Sequence, residues 1–151
     1  MKFSTKTGLL VAAVMVVAAT GAVNAKNSYR LQAVVQYKLE ADREDGTRVV
    51  GCTYCHINST GAAPWNPFGL NVRTAFRKES SSQTGDQRIK EALYKVLLQK
   101  LDSDDDGYLD ALEVYAGTLP GNKLSAPKRD ADDLEKEFTN AGGYAQFKAA
   151  P

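Results

Sequence analysis

Histidine, cysteine, methionine and tryptophan are nearly absent from this chain. Its 151 residues include one histidine (His56), two cysteines (Cys52, Cys55), two methionines (Met1, Met15) and one tryptophan (Trp65). Each scarcity excludes something. A structural zinc site takes four thiolate or imidazole ligands, and the chain holds three such groups. A catalytic triad would consume the one histidine, and no second constellation of nucleophile and base is present. Charge of one sign is also missing: 19 basic residues stand against 18 acidic ones, which argues against the basic footprint of a nucleic-acid binder. Leu9 to Ala19 is the one long apolar run, and it is shorter than the about 20 residues that cross a bilayer.

That run sits in a recognisable frame. Lys2 and Lys6 precede it without an acid, and Val23-Asn24-Ala25 follows with the small residues that a signal peptidase reads. The layout predicts a signal peptide over 1–25 with cleavage after Ala25, and hence a periplasmic or secreted protein. Cleavage would leave 126 residues, with 17 basic against 18 acidic groups and no methionine. No later segment is apolar enough to span a membrane.

The remainder reads as all-α. Leu31, Val34, Val35 and Leu39 recur at helical spacing and predict a helix over 28–39. Asp42 to Gly46 is polar and reads as a loop. Asn66-Pro67 supplies a cap and a first-turn proline for a helix carrying Phe68, Val72, Ala75 and Phe76. Asp86 is expected to cap the next helix, whose apolar stripe is Ile89, Leu93, Val96, Leu97 and Leu101. A third helix from Asp110 to Ala116 is stopped by Gly117 and Pro120. Residues 122–151 read as a linker and short C-terminal helix over 132–138, with a tail at Gly142-Gly143 that frays. The apolar core is thin, and small domains of this kind often need a staple or cofactor.

Cys52-Thr53-Tyr54-Cys55-His56 is a C-x-x-C-H pentad. Two thiols at this spacing can add to the two vinyl groups of a porphyrin, and the adjacent imidazole can bind its iron. A thioredoxin-like redox pair would need a βαβ context, and a plain disulfide would give His56 no role. The pentad therefore predicts one covalent haem c on Cys52, Cys55 and His56, with Trp65 and Phe68 as candidate walls. No methionine or second histidine is left for the sixth iron position. A lysine amine, the new amino terminus at Lys26, a tyrosine, an asparagine, water or nothing remain open there.

Asp102-Ser103-Asp104-Asp105-Asp106-Gly107-Tyr108-Leu109-Asp110-Ala111-Leu112-Glu113 matches the twelve-place EF-hand loop. Carboxylates stand at places 1, 3, 5 and 9, glycine at the sharp turn of place 6, and glutamate at place 12. The pattern predicts one Ca2+ held by Asp102, Asp104, Asp106, Asp110, Glu113 and the backbone carbonyl of Tyr108. A lone loop of this kind in an exported protein reads as structural.

Cys52 to His56, Gly61 and Asn66-Pro67-Phe68-Gly69 together resemble small exported bacterial monohaem c-type cytochromes. Asp102 to Glu113 with Ala116-Gly117-Thr118-Leu119-Pro120-Gly121 resembles a calcium loop built into such a protein. The likeness covers about Leu31 to Gly121. It implies a cytochrome-c-like helical domain over 26–121. It also implies an electron carrier, not an enzyme, with weak peroxidase activity left open, serving an unknown redox partner protein. The missing methionine departs from that pattern and keeps alive an alternative: haem-based binding or sensing of a gas or peroxide.

Overall fold

The computed structural model describes residues 27–39 and 51–149; the signal-peptide reading of 1–25 and the loop reading of 42–46 fall outside the described residues. Five α-helices and three 3-10 turns make up the described chain, and no strand is present among these residues. The helices are α1 (27–36), α2 (Pro67–Lys78), α3 (Gly85–Leu98), α4 (Asp110–Ala116) and α5 (Ala131–Asn140). The all-α reading holds. No helix is long and apolar enough to cross a membrane among the described residues.

Caps explain most boundaries. Asn66 starts α2 as expected: its Oδ1 accepts the Gly69 N–H at 2.7 Å, and Pro67 takes the first position. The start of α3 corrects the sequence reading. Thr84, not Asp86, is the cap, and it forms a reciprocal box with Gln87. Asp86 is left inside the first turn, where its Oδ1 accepts the Ser28 hydroxyl at 3.2 Å. Leu101 is corrected as well. The helix ends at Leu98, and Lys100 turns left-handed at φ 53°. Leu101 thus leaves the stripe, and its carbonyl instead accepts the Asp110 N–H at 2.7 Å. Helix α4 runs as expected and stops at Gly117, which takes a left-handed φ of 76°. Helix α1 is shorter than expected, ending in a turn over 37–39.

The core gathers where α2 and α3 pack together. Phe68, Val72, Ile89, Leu93, Val96 and Leu97 are buried between them, each such side chain contributing about 1.5–3 kcal/mol by leaving water. Tyr37 closes this core from the end of α1. Its ring meets those of Tyr54, Phe68 and Phe147 at centroid distances of 6.0, 6.3 and 5.8 Å. Its hydroxyl donates to the Leu93 carbonyl at 2.6 Å.

Phe147 belongs to the segment expected to fray. It is instead buried, and Leu134 and Phe138 of α5 are buried with it. Gln36, also buried, donates from Nε2 both to the Lys90 carbonyl (3.0 Å) and to the Phe147 carbonyl (3.1 Å). One amide thus ties α1, α3 and the C-terminal turn together, and residues 131–147 are part of the same core.

Candidate functional site

The C-x-x-C-H pentad forms a 3-10 turn over Cys52–Tyr54, with the Cys55 and His56 N–H groups both directed at the Cys52 carbonyl (3.2 and 2.9 Å). Tyr54 points inward, buried against Phe68 and Tyr37. Cys52, Cys55 and His56 line one cavity, and Tyr54 contributes to its wall as well. Neither cysteine is in a disulfide. Burial, then the neighbouring Cys52, pushes the Cys55 thiol up to about 12, so it stays protonated.

His56 is held in a defined orientation. Its Nδ1 lies 3.0 Å from the Ala62 carbonyl. A carbonyl can only accept, so Nδ1 carries the proton and Nε2 the lone pair. The ring also packs on Trp65 at 4.0 Å between centroids, and the two residues pair as an isolated antiparallel bridge. An imidazole held in this way could offer Nε2 to a metal.

The cavity has a volume of about 400 Å³, within the range that takes an organic ligand or cofactor. Its apolar walls come from Ala33 and Val34 of α1, Val72 and Phe76 of α2, and Ile89 and Leu93 of α3. Trp65 lies in the wall. Phe68 does not: it is fully buried one layer back, edge-on to Tyr54 at 5.7 Å. It therefore backs the turn without facing the cavity.

One side chain fixes the turn to α2. Asn66 uses its Oδ1 to cap the helix and its Nδ2 to donate to the carbonyls of Thr53 (3.1 Å) and Tyr54 (3.0 Å), while its own N–H donates to the Cys55 carbonyl at 3.1 Å. Gly69 sits directly under that carbonyl, and a Cβ there would run into the backbone of Cys55. The sequence pattern flags Asn66 only as a cap and Gly69 only as part of a resemblance; the clamp itself depends on the folded approach of the two segments.

The acidic loop closes inward as its spacing predicts. Asp102, Asp104 and Asp106 each bring a carboxylate oxygen within 4.8 Å of the others. Asp102 accepts the N–H groups of Asp106 (3.2 Å) and Gly107 (2.9 Å), and Asp106 accepts that of Tyr108 (2.9 Å). Gly107 makes the sharp turn at φ 100°. Both carboxylate oxygens of Asp104, Oδ2 of Asp106 and Oε2 of Glu113 are buried with no hydrogen-bond donor. Anionic oxygens buried without a partner are costly, and a cation among them would offset that cost. The other two predicted carboxylate ligands, Asp110 and Glu113, are not part of that three-carboxylate group. Asp110 accepts the Ser103 N–H (2.9 Å) and hydroxyl (2.7 Å), and Glu113 is fully buried beside Thr118. Burial, opposed by those Ser103 bonds, raises the Asp110 carboxyl to about 7; burial, then repulsion from Asp106, Asp104 and Asp110, raises that of Glu113 to about 9. Tyr108 sends its hydroxyl to the Arg129 carbonyl at 2.5 Å, so its side chain takes no part in the cluster.

The loop and the turn are joined through α2. Asn71 donates to the Ser103 hydroxyl at 2.9 Å, and Ser103 in turn holds Asp110. The sequence patterns give Asn71 no place, and they include Ser103 and Thr118 only as motif positions with no ligand role. Ser103, at loop place 2, becomes legible only once Asp110 folds back over it. No family model matches this chain, and neither curated proteins nor solved structures give a match.

Proposed function

We propose that the protein is an exported c-type cytochrome that carries electrons through one covalent haem and is stabilised by one Ca2+. The observation that supports the haem reading most directly is the placing of two unbonded thiols and one oriented imidazole on the rim of a single apolar cavity. Bound there, the haem would supply an iron that shuttles between two oxidation states. The chain does the rest. Cys52 and Cys55 would hold the haem by adding S–H across its two vinyl double bonds, with no oxidant consumed. His56 would offer Nε2 as an iron ligand, with Nδ1 held by the Ala62 carbonyl. The apolar walls would limit contact of the group with water. Calcium would be held by Asp102, Asp104, Asp106, Asp110 and Glu113 with the Tyr108 carbonyl, and the unpartnered buried oxygens of Asp104, Asp106 and Glu113 are the feature that supports it. Export rests on the signal-peptide reading of 1–25 and agrees with both chemistries.

A second reading, binding or sensing of a small gas or peroxide at an open iron face, draws on a specific feature. His56 is the chain's one histidine, and the described cavity lining includes no second imidazole, no thioether and no amine. One experiment separates the readings. The chain is produced in a host that exports it and attaches haem outside the cytoplasm, and visible spectra are recorded in both oxidation states with and without carbon monoxide. Haem bands that survive denaturation and vanish in Cys52→Ala/Cys55→Ala are expected. A low-spin spectrum indifferent to the gas supports electron transfer; a high-spin, gas-binding spectrum puts the second reading first. An absence of haem bands overturns both.

A further inference from the structure

The cavity wall is asymmetric in charge. Three arginines, Arg30, Arg73 and Arg77, line it, and no aspartate or glutamate does among the described residues, although acids and bases are nearly balanced over the whole chain. An apolar chamber whose described lining holds cations and no acid suits an amphipathic anion. Arg30 is engaged: its Nε and Nη2 both donate to the Asn27 side-chain oxygen at 3.2 and 3.1 Å. Arg73 and Arg77 make no hydrogen bond or ion pair among the described residues. Arg73 rests over the Trp65 ring, its Cζ 5.7 Å from the ring centroid.

We infer that Arg73 and Arg77 hold the two propionate carboxylates of the haem. The inference rests on the haem reading and assigns two residues to it. Their spacing fits, since residues four apart on α2 project from one face a single turn apart. Their position fits too. Gly69, on the same helix, touches Cys55, which takes the vinyl edge of the macrocycle. Arg73 and Arg77 lie about 6 and about 12 Å farther along the helix axis, at 1.5 Å per residue, on the way to the opposite edge, where the carboxylates are. A guanidinium offers two parallel N–H groups to a carboxylate, so each arm can be held at two points. A carboxylate brought against these walls without such a partner would be protonated or expelled.

The test uses the exported, haem-loaded protein. The reduction potential is followed from pH 5 to 8, and the propionate bending modes are read by resonance Raman, for the wild type, Arg73→Gln, Arg77→Gln, the double variant and the two lysine variants. The parent residues are half-buried and exposed, and far-UV circular dichroism checks that each variant folds. The wild-type potential is expected to be flat over this range, because paired propionates stay ionised throughout. Removing both cations is expected to lower the potential at neutral pH and to introduce a fall with rising pH as the propionates titrate. The bending modes should shift, and lysine should restore the potential but not the modes. A wild-type potential that itself falls through a propionate titration overturns the assignment, as does a double variant with unchanged potential, profile and modes. Both outcomes leave the haem reading intact, whereas a wild type without haem bands overturns the reading and the assignment together.

Discussion

Gly121 packs face to face with Asn66. A Cβ on Gly121 would stand 2.7 Å from the Cγ of that side chain. Asn66 is the clamp of the pentad turn, and Gly121 closes the Ala116-Gly117-Thr118-Leu119-Pro120-Gly121 segment that leaves the acidic loop. The two candidate centres therefore share a contact, with Asn71 and Ser103 providing a second path.

The shared contact sets the first prediction. Asn66→Ala removes a helix cap, worth about 0.5–2 kcal/mol, and leaves the Thr53 and Tyr54 carbonyls without their donor. A total loss of about 2–4 kcal/mol is expected in urea denaturation. Gly121→Ala is expected to destabilise by about 1–3 kcal/mol, because the added methyl displaces Asn66. A Gly121→Ala protein as stable as its parent would show that the contact carries no strain.

Stability of the metal-free protein should fall as pH rises. Asp110 and Glu113 ionise near 3.8 and 4.5 when unfolded but only at about 7 and about 9 when folded. Between those limits the native state binds more protons than the unfolded one, so unfolding becomes easier with each increment of pH. The decline is steepest from about pH 5 to 7, where both groups contribute, at roughly 1 kcal/mol per pH unit for each. Saturating calcium should restore most of the loss, since it favours the ionised form. Melts in chelator at pH 5, 7 and 9 check the sign; a rise in stability over this range contradicts it.

Glu113→Gln separates metal binding from folding. It should abolish tight calcium binding in calorimetry. In chelator at pH 8 it should leave the protein as stable as the parent or more so, because the cost of protonating the buried Glu113 carboxyl on folding is gone. A variant unstable in chelator as well would make Glu113 a folding residue first.

Lys123 moderates the loop. Its Nζ donates to the Asp105 carbonyl at 2.6 Å, and its charge acts on Asp106. An exposed cation so placed opposes a second cation by about 0.2–1 kcal/mol. Lys123→Gln is therefore expected to tighten calcium binding by about 1.4- to 5-fold at low salt, with the gain shrinking as salt is added.

Phe147→Ala tests whether the C-terminal segment is integral. Loss of a buried ring typically costs about 3–5 kcal/mol, and a frayed tail would cost nothing.

Much of this was legible because the informative signals are local. The pentad, the acidic loop, the Asn66-Pro67 helix start and the Gly117 stop are each set within a few residues. Thr84 was legible too, since Thr84 and Gln87 have the spacing of a capping box, whereas Asp86 has Ile89 at that place and so no reciprocal partner. What the sequence hid is long-range. Phe147 follows two glycines and looks terminal until Tyr37 and Gln36 meet it. Phe68 was expected near a ring because it follows the pentad closely, but the turn of α2 aims it into the tyrosine cluster and gives the cavity to Val72 and Phe76. Leu101 keeps the helical period on paper, yet Lys100 breaks the helix first.

Gln36 and Phe147 are separated by 111 residues, and this has a kinetic consequence. Closing so long a loop carries a large entropic cost before any contact rewards it, and topologies rich in such contacts fold slowly. Helices α2 and α3, joined by six residues, can pair early. Helix α1, which forms one wall of the cavity and is pinned through Gln36, is expected to dock after them, leaving the chamber open on the α1 side until it does.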